Sequence, residues 1–96
     1  MNIKERLLNA PAVPLGIDGF EGAFLKPMLA EDYMTLAEKA GAEESIFMVE
    51  LSLVDETGER IFADGEANQL PASLFTRVLN RVLEVNSLDP GEAAKN

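Results

Sequence analysis

Apolar residues recur along this chain at two different spacings, and the switches between them mark its elements. Ile3, Leu7 and Leu8 stand at helical spacing around Lys4, Glu5 and Arg6. They predict a helix of about two turns. Asn9 can end it and Pro11 stops its continuation. A helix this short is not stable alone, so it is expected to dock on the rest of the molecule. Val13, Leu15 and Ile17 then alternate with other residues, as a half-buried strand does. Asp18-Gly19-Phe20-Glu21-Gly22 is a turn, and Ala23 to Met28 runs back, which predicts a β-hairpin. Pro14 and Pro27 each lack a ladder donor and put part of that hairpin on an edge.

Helical spacing returns with Leu29, Tyr33, Leu36, Ala37 and Ala40, which form one apolar stripe. Glu31 and Asp32 fall in the first turn, where the helix dipole favours acids, and Gly41 is placed to end the helix. The next segment, Glu43 to Val54, reads two ways. Phe47, Val49, Leu51 and Leu53 alternate with Met48, Glu50 and Ser52, and over 46–54 this local signal favours a strand. As a helix, the same residues give a wide apolar arc interrupted by Glu50.

Asp55-Glu56-Thr57-Gly58 is a turn. Beyond it, Glu59 to Phe62 reads as a short extended return whose Ile61 and Phe62 can plug into the core, and Asp64-Gly65-Glu66 is a further break. Pro71 to Asn86 is the clearest helix. Pro71 suits its start, Leu74, Phe75, Val78, Leu79, Val82 and Leu83 fill one face, and Ser73, Thr76, Arg77, Asn80, Arg81 and Glu84 fill the other. Residues 1–88 are expected to form one domain arranged around the Ser45 to Leu70 stretch. Residues 89–96 hold no apolar anchor and read as a flexible C-terminal tail. The fold class expected is helix-dominated α+β: a short N-terminal helix, a β-hairpin, then helices packed around a central turn.

Composition narrows the function. The chain has 96 residues, no cysteine and no histidine. Thiolate chemistry and disulfides are therefore excluded, and the usual general base and zinc ligand are missing. Lys26 and Lys39 have no catalytic motif around them, and Glu43-Glu44 and Asp55-Glu56 lie in surface contexts. Gly16, Gly19 and Gly22 do not lead into a phosphate-binding helix, and Thr57 stands where a calcium loop needs a carboxylate. No enzyme activity, metal or cofactor is expected. No apolar run reaches the roughly 18 residues of a membrane span, and the first residues lack the apolar core of a signal peptide. The expectation is a soluble, intracellular protein.

The net charge is −9, and Glu31 to Glu66 hold eleven acids against two bases, which accounts for all of it. An acidic middle repels nucleic acid and anionic lipid. It keeps the protein soluble, and it can attract a basic partner or mimic a polyanion.

The order of these features resembles the tail assembly chaperones of long, flexible-tailed bacteriophages and their prophages. The opening Met1 to Pro11 is similar to that family's short first helix. Val13 to Leu29 is similar to its hairpin and the helix start that follows, through Lys26, Met28, Leu29, Glu31 and Asp32. Leu53 to Asp64 is similar to its most recognisable stretch, an acidic turn with Gly58 followed by an apolar pair ending in Phe62. Leu70 to Asn86 resembles its closing helix. The chain departs from the pattern at Phe20, where Trp-Gly is common, at Lys26, where Arg is usual, and at Gly65-Glu66-Ala67.

The resemblance implies a helix running up to the 55–58 turn, against the local strand signal. It also implies a non-enzymatic chaperone in the host bacterial cytoplasm, absent from the mature virion. Such a protein binds the tape-measure protein and keeps it soluble while the tail tube assembles. Further implied partners are the tail-tube protein and a frameshifted longer form of the chain itself. The broad apolar last helix leaves a homo-oligomer open. Met28, Met34 and Met48 offer adaptable apolar contacts. Phe62, Leu70, Leu74 and Phe75, clustered at the start of the last helix, are the candidate partner-binding residues, each with a core role as its alternative. Two rival functions remain: an acidic inhibitor of a host nucleic-acid-binding protein, and a minor structural tail subunit.

Overall fold

The computed structural model describes residues 2–86 apart from Ala10 and Ala40. Its elements are, in order, α1 (Ile3–Leu8), β1 (Val13–Pro14), β2 (Ala23–Leu25), α2 (Ala30–Leu36), α3 (Ala42–Ser52), β3 (Leu53–Asp55), a 3-10 turn (Ala67–Gln69) and α4 (Ala72–Val85). The three strands form one antiparallel sheet in the order β1-β2-β3. This is a helix-dominated α+β fold, as the pattern predicts. The proposed tail at 89–96 lies outside the described residues.

The hairpin forms around the predicted turn, but it is shorter than expected: the strands are only Val13–Pro14 and Ala23–Leu25, and Val13 is exposed while Leu15 and Ile17 are buried beyond the strand's end. Val13 faces Leu25 and Pro14 faces Phe24 across the β1–β2 pair. Gly19 and Gly22 take φ of 93° and 96° in the turn, a region that L side chains rarely adopt. Pro14 sits on the outer strand, where its missing N–H costs no ladder bond. β2 is central, and it aligns Leu25 with Leu53 of β3.

The Glu43 to Val54 segment overturns the strand reading. It is helical from Ala42 to Ser52 and extended only from Leu53 to Asp55. The physical reason is its surroundings. α3 is packed by α2, α4, β3 and the 3-10 turn, so Met48, Val49, Glu50 and Ser52 are all buried. A helix enclosed this way carries no polar stripe, and its sequence loses the 3.6 period.

Four smaller expectations are corrected. α1 forms as predicted and is capped at its start, Asn2 accepting the Glu5 N–H at 2.8 Å. It does not dock: every residue from Asn2 to Asn9 is exposed. α2 stops at Leu36, and Leu29 of the expected stripe is exposed. Gly41 does not close α2 but opens α3, with a φ of 59°. Ile61 does not plug into the core. It is exposed, while Phe62 is half-buried against the core, and the only pairing of this return is a single bridge between Arg60 and Val54.

The core is one cluster that includes Leu15, Ile17, Leu25, Leu36, Val49, Leu53, Val78 and Val82. Three long-range polar ties close it. Arg81 on α4 donates from Nε to the Leu15 carbonyl at 2.8 Å and from Nη2 to the Pro14 carbonyl at 3.0 Å. Asn86 Oδ1 accepts the Met28 N–H at 2.8 Å, and its Nδ2 donates to the Val82 carbonyl at 2.8 Å. Both hold the hairpin to the far end of α4. The third tie is Glu50, whose Oε2 accepts the Ala67 N–H at 2.9 Å and fixes the 3-10 turn to α3.

Candidate functional site

The first halves of α3 and α4 do not close on each other. Between them lies an open groove of about 380 Å³. Ala42, Ser45 and Ile46 of α3 form one wall, Ala72, Phe75, Thr76 and Leu79 of α4 form the other, and Ala67, Asn68 and Leu70 form the end. The geometry follows from the sequence. Small residues, Ala42, Ser45, Ala67 and Ala72, stand where larger ones would meet and seal the helix pair. Pro71 starts α4, and the 3-10 turn pinned by Glu50 holds Leu70 at the groove's end.

A second cavity, of about 200 Å³, adjoins the groove through Ile46 and Asn68. Its character differs. Glu43, Glu50 and Asp64 line it together with Lys39 and Phe47. Lys39 Nζ sits 4.7 Å from the centre of the Phe47 ring, within cation–π range. On the other side, sharing Ser45 and Leu79 with the groove, is a crevice of about 390 Å³ lined by Tyr33, Leu36, Glu44, Met48 and Leu83. Burial pushes the Tyr33 phenol above its ordinary pKa. The α3–α4 seam thus presents an apolar trough with exposed Glu43 and Glu44 at its margin, while Glu50 is buried on the Ala67 N–H and Asp64 is paired with Arg60 at 2.8 Å.

This arrangement is suited to holding apolar side chains, and a helix or extended segment that also carries basic groups. Among the described residues, no group of three or more acids is placed to hold a metal ion. No helix of the described residues is long and apolar enough to cross a membrane.

Of the nominated residues, Leu70 and Phe75 line the groove. Leu74 and Phe62 do not; both are half-buried and pack against the core. The opposite wall, Ala42, Ser45 and Ile46, was missed because it exists only if that segment is a helix. Met48 lines the adjoining crevice, while Met34 is exposed on α2. Elsewhere the 55–58 turn is held by its own side chains. Asp55 Oδ1 accepts from Thr57 Oγ1 at 2.6 Å, from the Thr57 N–H at 2.8 Å and from the Glu59 N–H at 3.1 Å. These bonds, the Thr57 hydroxyl first, hold the Asp55 carboxyl below its ordinary pKa. That accounts for the turn as structure, with no ligand required.

Compared with models of protein families, with curated protein sequences and with solved structures, the chain matches none.

Proposed function

We propose that this protein is a non-enzymatic tail assembly chaperone. In this reading it binds an apolar helical segment of the tape-measure protein in the host cytoplasm and leaves before the virion is complete. The observation that carries the binding site is the open α3–α4 groove, with its apolar walls and acidic margin. A long helical client presents apolar side chains at i, i+3, i+4 and i+7, and such a stripe seats in a groove of this kind. The resemblance in residue order supplies the identity of the client.

Co-expression tests it. A tape-measure fragment that is insoluble alone is expected to become soluble with this protein. It is expected to return to the pellet with an Ile46→Arg variant, which places a charge in the groove wall. A client equally insoluble with and without the protein overturns the reading.

A second reading is favoured by the exposure of Glu31, Glu38, Glu43, Glu44, Glu56, Glu59, Asp64 and Glu66. Such a surface suits an acidic inhibitor of a basic host protein. Binding of that kind weakens steeply with salt, whereas apolar groove binding does not.

A further inference from the structure

The chain contains two Asp-Gly steps, Asp18-Gly19 and Asp64-Gly65, and the fold makes them a matched pair. Each occupies the two central positions of a turn. The Phe20 N–H donates to the Ile17 carbonyl at 3.1 Å across the first, and the Glu66 N–H to the Ala63 carbonyl at 3.1 Å across the second. Both glycines have positive φ, 93° at Gly19 and 84° at Gly65. All four residues are exposed. Among the described residues, neither glycine N–H is held in a backbone hydrogen bond.

Such a step is chemically weak for a physical reason. Glycine has no side chain to shield its nitrogen, and its backbone turns with little steric resistance, so the nitrogen can reach the Asp Cγ beside it. Attack forms an N–Cγ bond, the carboxyl hydroxyl and the amide hydrogen leave as water, and a five-membered succinimide closes. Water then opens the ring. Addition at Cγ breaks the new bond and restores Asp. Addition at the backbone carbonyl breaks the original peptide bond and leaves the chain running through the side chain, as isoaspartate. One water leaves and one returns, and no other reactant is needed.

The two sites differ in what holds the reacting carboxyl. Asp64 Oδ1 accepts from Arg60 Nη2 at 2.8 Å, and Arg60 is itself fixed, its Nε donating to the Glu50 carbonyl at 3.0 Å. A second clasp crosses the same turn, where Glu66 Oε1 accepts the Ala63 N–H. The Asp64 carboxyl must leave Arg60, and the turn must open against Glu66, before the Gly65 nitrogen can attack. Among the described residues the Asp18 carboxyl has no ion pair, and no side chain clasps its turn. We propose that Asp18-Gly19 is the site at which this chain rearranges to isoaspartate, and that Arg60 and Glu66 protect the equivalent step at Asp64-Gly65. The rearrangement adds one carbon to the backbone of the loop that joins Pro14 to its partner Phe24. It is a property of the chain itself and does not depend on which client it serves.

The test is to incubate the full chain for weeks at physiological temperature and mildly acidic pH, then to digest it and map isoaspartate by mass spectrometry with fragmentation that separates the two isomers. Methylation by a protein isoaspartyl methyltransferase counts the product independently. In the folded chain, isoaspartate at position 18 is expected to exceed that at position 64 by about three- to fivefold, the scale of a surface ion pair. In urea, where both turns are lost, the two positions are expected to react at similar rates. Asp18→Glu is expected to remove most of the methylation, because ring closure through the longer side chain is slower. Arg60→Met is expected to raise isoaspartate at position 64 and leave position 18 unchanged. Glu66→Ala, on an exposed side chain, asks the same question without disturbing the Arg60 contact to α3. The proposal is overturned if neither position forms isoaspartate, if position 64 reacts faster, or if the ratio is the same in the folded and the unfolded chain.

Discussion

α3 and α4 are the two walls of the same groove, yet they are built on opposite plans. α4 has one buried line, Val78 and Val82, flanked by half-buried Leu74, Phe75, Leu79 and Leu83, and its other side is wet. α3 is open at its first turn, where Ala42, Glu43 and Glu44 are exposed, but enclosed in its second half, so even Glu50 and Ser52 are buried, at 2% and 0% exposure. Each helix also uses a charged side chain to hold the backbone of a short element, β1 or the 3-10 turn. On α4 this is Arg81, which grips the backbone at Pro14 and Leu15 and shares its charge with Glu84 at 2.6 Å near the surface. On α3 it is Glu50, which grips the Ala67 N–H from inside the molecule. The lesson is that the amphipathic stripe reports how many sides of a helix are covered, not how much the helix contributes to the core.

The comparison can be broken most sharply with one valine from each helix. Val49 and Val82 are both 0% exposed. Val49→Ala and Val82→Ala are each expected to cost about 2–3 kcal/mol in urea unfolding, from lost transfer energy and the cavity left behind. A cost confined to Val82 would show that α3 is not enclosed as described. Next come the two charged anchors. Glu50→Ala leaves the buried Ala67 N–H without an acceptor, at an expected cost of about 1–3 kcal/mol. Glu50→Gln keeps an acceptor oxygen and is expected to cost less. Arg81→Met strips both hairpin carbonyls of their donors and is expected to fall in the same range of about 1–3 kcal/mol.

Ser52 sharpens the comparison from the other direction. Its Oγ is buried with no hydrogen-bond partner among the described residues, so Ser52→Ala is expected to be neutral or to stabilise by up to about 1 kcal/mol. The smallest effect is expected at the turn after β3. The Asp55 pKa is lowered by folding. Its contribution is therefore complete above the ordinary Asp value of about 3.9 and is lost as pH falls through the lower folded value. The stability gap between wild type and Asp55→Ala should shrink with acid only below about pH 4. An NMR titration of the Asp55 carboxyl, with the Thr57 amide as reporter, gives the folded value directly.

What could be read from the sequence follows the same division. α4 was legible because water covers one side of it, and the hairpin through its glycine turn, although only Val13–Pro14 of the alternating stretch is strand. α3 was not, because Phe47, Val49, Leu51 and Leu53 match a strand's period while neighbours enclose a helix. The alternation told the truth only at its end, where Leu53–Asp55 is indeed β3. The docking of α1 was misjudged because helix instability predicts that a partner is needed, not that the same fold provides it. Half the groove was found, through Leu70 and Phe75. Its other wall depended on the conformation of Ala42 to Ile46. Arg81 read as one more polar position because the carbonyls it holds lie 66 and 67 residues earlier.

That separation has a meaning for synthesis. The hairpin emerges early, but its anchors at Arg81 and Asn86 come last. At about 5–20 residues per second, the 66 residues between Leu15 and Arg81 take about 3–13 seconds to translate. For that interval the hairpin has its turn, and from residue 55 onward its pairing to β3, but no clasp to α4. A nascent chain halted before Arg81 would be a substrate for the cell's own quality control, and the last turns of α4 act as the latch that ends its exposure.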